Sequence, residues 1–75
     1  MAHTTLQEVE AQIAADKKTR RHALSLESAC LAIDEDLRML LAQYRRMNGP
    51  DNAIVRMALI HIAADALRAI DDLNV

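Results

Sequence analysis

Phenylalanine and tryptophan are absent from this chain, Tyr44 is its one aromatic residue, and glycine, proline and cysteine occur once each. Each shortage excludes something. A lone cysteine, Cys30, cannot close an intrachain disulfide, which fits a reducing compartment. A single glycine cannot build a phosphate-cradling loop. With no aromatic series there is no platform on which nucleic-acid bases stack. No apolar run reaches the roughly 18 residues that a membrane-spanning helix requires, and the N-terminus has no signal-peptide pattern. A cytoplasmic protein with no membrane insertion is expected.

What the chain does contain is helix-forming apolar mass. Of its 75 residues 52% are hydrophobic, almost all Ala, Leu, Ile, Val and Met, a mixture suited to helix–helix seams rather than to sheets. Charged residues at 27% with a net charge of −2 give a solvated surface and no general affinity for polyanions. One small all-α domain is expected, near the lower limit for a self-sufficient core.

The strongest punctuation is Asn48-Gly49-Pro50-Asp51-Asn52. Gly49 suits a left-handed residue beyond a helix end, Pro50 forbids continuation, and Asp51 or Asn52 can cap a new helix. Before it, Thr5-Leu6-Gln7-Glu8 has the form of a capping box, and Leu6, Val9 and Ile13 share one face. The polar run Asp16-Lys17-Lys18-Thr19-Arg20-Arg21-His22 interrupts that face. A regular stripe then follows through Ala23, Leu26, Cys30, Ile33, Leu37, Leu40, Tyr44 and Met47, in alternating steps of three and four. Leu24, Leu31 and Leu41 widen it. The expected architecture is an antiparallel helical hairpin: an arm over about residues 5–47, continuous or kinked near 16–22, a turn at 48–52, and a second helix over about 53–73.

That second helix is too apolar for its hairpin partner. Arg56, His61, Asp65, Arg68 and Asp72 form a narrow polar stripe, and nearly everything else is Ala, Ile, Leu or Val. One neighbouring helix covers an apolar stripe of about 100°, and this helix offers about twice that. Leaving several Leu and Ile in water forgoes on the order of 1.5–3 kcal/mol each. A partner chain that completes a bundle is therefore expected. The candidate contacts are Val55, Leu59, Ile62, Leu67 and Ile70 on the second arm, with Leu24, Leu31 and Leu41 on the first.

Catalytic chemistry finds no support. Cys30 sits on the regular stripe and reads as a small core residue. His61 and Asp65 lie one turn apart, but two ligands are too few for a closed zinc site, so a solvated polar stripe is the stronger reading. Asp34-Glu35-Asp36 lacks the turn and further ligands of a cation loop. No cofactor or metal is expected. Lys17, Lys18, Arg20 and Arg21 form the one basic cluster and are the candidate phosphate contacts of a second reading, a homodimeric four-helix-bundle regulator that binds nucleic acid. A small phage or bacterial antagonist of a host protein is a third.

Thr5-Leu6 with Val9-Glu10, Ile13 and Asp16, the loop Gly49-Pro50-Asp51, and the arm Leu59-Ile60, Ala63-Ala64, Leu67 and Ile70 together resemble a known family. It is that of the small E-type co-chaperones of type III secretion needle subunits. Two features depart from its pattern: the heavy basic run from Lys17 to Arg21, and Ile54 where an aromatic residue would follow the loop. The resemblance implies a helical hairpin that pairs with a second, helical-repeat chaperone and keeps a needle subunit soluble before export. The exposed sides of the seams would carry that role.

Overall fold

The computed structural model describes residues 4–19 and 23–75, which form three α-helices and no strand. Helix α1 spans Thr5–Thr19, α2 spans Leu26–Tyr44 and α3 spans Asn52–Leu73. The chain is all-α.

The expected first arm is two helices. Helix α1 ends at Thr19 and α2 begins at Leu26, so Asp16 to Thr19, at the start of the run expected to interrupt the arm, are helical. The cause on the α2 side is a serine capping box. Ser28 N–H donates to Ser25 Oγ at 3.1 Å, and Ser25 N–H donates to Ser28 Oγ at 2.9 Å, so two backbone donors are satisfied reciprocally. The start of α1 is also shifted by one residue. Thr4, not Thr5, is the cap: Gln7 N–H donates to Thr4 Oγ1 at 3.1 Å and Thr4 N–H to Gln7 Oε1 at 2.9 Å. Glu8 is thereby released to pair with Arg56 on α3.

The turn follows its chemistry. Arg45 closes α2, Gly49 takes a left-handed φ of 85°, and the Asp51 carboxylate accepts from Ala53 and Ile54 N–H to begin α3. Asn74 ends α3 in the left-handed conformation, at φ 56° and ψ 48°.

Helix α3 is central. It packs against α2 and against α1, whereas α1 and α2 do not meet. Helices α2 and α3 run in opposite directions, pinned at both ends. Leu24 N–H donates to Asp72 Oδ2 at 2.8 Å beside the α3 terminus, and Asp51 N–H donates to Gln43 Oε1 at 3.0 Å beside the turn. The core is built from small residues: Ala29 and Ala32 of α2, Ala58, Ala64 and Ala69 of α3, with Val9 and Leu24 as its larger members. Leu24, Ala29 and Ala69 cluster together, and Leu73 packs on them.

The regular stripe of α2 is therefore not the seam of this fold. Leu26, Cys30, Leu37 and Tyr44 are exposed, and Ile33 and Leu40 are only half-buried. Alanines form the seam instead because they let two helix backbones approach closely, which larger side chains prevent. Cys30, expected in the core, is on the surface.

Candidate partner-binding surface

Two kinds of surface come out of this packing. The first is polar. Asp16 and Thr19 of α1, Glu35 and Asp36 of α2, and His61 and Asp65 of α3 line one cleft. Behind it the buried Arg68 guanidinium donates through Nε to Asp72 Oδ2 at 3.2 Å. The Leu24 N–H and then the Arg68 charge hold the Asp72 carboxyl below its ordinary value of 3.8, against the opposing pull of desolvation. The Asp72 carboxylate is thereby held by Leu24 N–H and by Arg68, a structural arrangement. Among the described residues no group of three His, Cys, Asp or Glu side chains is placed to hold a metal ion.

The second surface is apolar and open. On α2, Leu26 is 66% exposed, Leu37 44% and Tyr44 83%, with Leu41 beside them. On α3, Leu59 and Ile70 are each about half exposed, while Val55 and Ile62 are half-buried. Helix α1 covers part of the apolar excess of α3. Thr5 and Val9 border a groove of about 300 Å³ whose α3 wall includes Val55, Leu59, Ile60 and Ala63. The surplus inferred for α3 is thus shared between α1 and solvent.

The expected contact residues divide accordingly. Leu31, Leu41, Leu59, Leu67 and Ile70 are exposed, and Val55 and Ile62 are partly so. Leu24 is not on the surface at all. At 6% exposure it anchors the α2–α3 core, because its backbone N–H is held by Asp72 and its side chain is carried inward with it. Of the basic cluster, Lys17 and Lys18 are exposed in the last turn of α1, where cations complement the helix dipole. Arg20 and Arg21 lie outside the described residues.

Gln43 is the structural residue that sequence reasoning passed over. It is buried at the end of α2, and its amide oxygen accepts from both Asp51 N–H and Arg46 Nη1. A glutamine next to a tyrosine carries no periodic signal, so only the tertiary fold reveals it. Among the described residues no helix is long and apolar enough to cross a membrane. Comparisons with protein-family models, with curated proteins and with solved structures returned no match.

Proposed function

We propose that this chain is a non-enzymatic protein-binding adaptor, acting in the manner of a type III secretion needle-subunit co-chaperone. In this reading α2 and α3 form a helical hairpin whose open apolar face completes a bundle with a partner chain. One observation carries the reading: Leu37, Leu59 and Ile70 remain 44%, 49% and 50% exposed on a chain whose own core is made largely of alanine. Helices that keep their large aliphatic side chains outside and their small ones inside are arranged to gain buried area from another molecule.

The contacts of the adaptor are Leu41, Val55, Leu59, Ile62 and Ile70, with Leu31 and Leu67 at the margins. The test is aggregation of a purified helical needle subunit, followed by light scattering with and without an equimolar amount of this chain. Suppression is expected, and Leu59→Asp should abolish it while the helical circular dichroism stays within a few per cent. Unsuppressed aggregation with the wild-type chain would overturn the reading.

A further inference from the structure

One apolar stripe of α2 and one of α3 lie on the same side of the molecule. On α2, Leu26, Ile33, Leu37 and Tyr44 are rotated by roughly 90° from the buried Ala29, Ala32 and Gln43, at about 100° per residue. On α3, Val55, Leu59 and Ile70 are likewise rotated by roughly 90°, in the same sense, from the Ala58, Asp65 and Ala69 side that meets α2. Because the two helices run in opposite directions, rotations of the same sense bring both stripes to one face. The other face holds the polar cleft of Glu35, Asp36, His61 and Asp65.

The charges along the open edge of α2 say what this face accepts. Glu27 and Asp34 occupy the N-terminal half of that edge, and Arg38 and Arg45 its C-terminal half. Both pairs are centred on position 36, one residue past the middle of the helix, with Arg45 as the residue that closes it. A second α2 laid antiparallel across the stripe sets Glu27 against Arg45 and Asp34 against Arg38, whereas a parallel one carries the two charged edges to opposite sides and pairs none of them. Asp34 and Arg38 also pair within their own helix at 3.0 Å, which leaves both on this edge.

The size fits as well. Helix α2 has 19 residues, about 28 Å, and two packed helices are about 20 Å across. That is a footprint of roughly 550 Å² per chain, or about 1,100 Å² in total, just above the roughly 1,000 Å² that a biological interface should clear.

We propose that the occupant of this face is a second copy of the chain, packed antiparallel about a two-fold axis near Leu37, which makes a four-helix layer from two α2–α3 pairs. The proposal deepens the protein-binding reading by naming the partner of that same face. The regular stripe of the sequence is then the intermolecular seam.

Sedimentation equilibrium of the full chain is the test. A mass of two chains of 8.4 kDa each is expected at micromolar concentration. Leu37→Asp places two carboxylates together on the axis and should weaken self-association on the order of 100-fold or more, with helicity retained because Leu37 is exposed in the single chain. The orientation has its own test. The doubly positive variant Glu27→Arg/Asp34→Arg and the doubly negative variant Arg38→Glu/Arg45→Glu should each dimerise poorly alone and pair with each other when mixed. A monomeric wild-type chain at every concentration overturns the proposal, as does a dimer indifferent to Leu37→Asp or charge variants that ignore one another. A monomer that still suppresses needle-subunit aggregation overturns the dimer alone and leaves the adaptor reading standing; a dimer without that activity does the reverse.

Discussion

The backbone N–H of Leu24 and the carboxylate of Asp72 are 2.8 Å apart across 48 positions of sequence. That single bond joins the entry to α2 with the last turns of α3, and the same carboxylate oxygen accepts from Arg68. In a fold whose core is mostly alanine, such polar ties decide how the helices are set against one another.

The Asp72 carboxyl titrates below its ordinary value in the folded chain, chiefly because of the Leu24 N–H. A group lowered in this way adds stability that is fully present above its unfolded pKa and is lost as pH falls through the folded one. The urea midpoint should therefore decline on acidification below about pH 4, and Asp72→Asn should decline less steeply than wild type. Equal slopes for the two proteins would assign acid sensitivity to other carboxyls.

Leu24 is one of two large aliphatic side chains in the core, and its truncation leaves a cavity against Ala29, Ala69 and Leu73. Leu24→Ala should cost about 2–5 kcal/mol in chemical unfolding, most of what a domain this small possesses. A loss under about 1 kcal/mol would mean that α3 closes over the gap.

Ser25 and Ser28 terminate the segment before α2 by capping each other. Ser25→Ala should lower stability by about 1 kcal/mol, read as a reduced melting temperature, and Ser25→Asp should restore most of it. If Ser25→Asp melts with the alanine variant, side-chain capping is not what starts the helix there.

Gly49 has open space around it, so its requirement is conformational and not steric packing. At a φ of +85° an alanine costs roughly 1–2 kcal/mol, and Gly49→Asn should be milder than Gly49→Ala.

Helix α1 touches α3 alone, and its ion pair from Glu8 to Arg56 is partly solvated. Glu8→Ala should change global stability by less than about 1 kcal/mol. Native-state hydrogen exchange should nevertheless be faster in α1 than in α2 and α3, and faster still in the variant. Uniform protection along all three helices would show that α1 is held as firmly as the central pair.

Several elements are readable from residues alone. Gly49-Pro50-Asp51 marks the turn because left-handed φ, a missing N–H and a capping carboxylate are properties of single residues. Helix α3 runs from Asn52, directly after the Asp51 cap, to Leu73. The break before α2 was less legible. Ser25-x-x-Ser28 caps without a glutamate, and the basic run upstream drew the boundary toward itself. At the surface, Leu24 and Leu31 both look like members of a wide apolar stripe. Their fates diverge because Leu24 lies where Asp72 holds the backbone, and nothing in the local pattern announces a bond spanning 48 positions.

Composition and periodicity by themselves determined that this chain is helical, that it breaks at Gly49-Pro50, and that its second helix carries a wider apolar surface than one neighbouring helix covers. Only the tertiary structure decided how that surface is divided. It laid α1 against α3, put alanines into the α2–α3 seam and left Leu26, Leu37 and Tyr44 outside. The reason is physical: periodicity states that a helix has an apolar face, whereas the choice of which face is buried depends on how closely two backbones can approach, and among the residues of these helices alanine permits the closest approach.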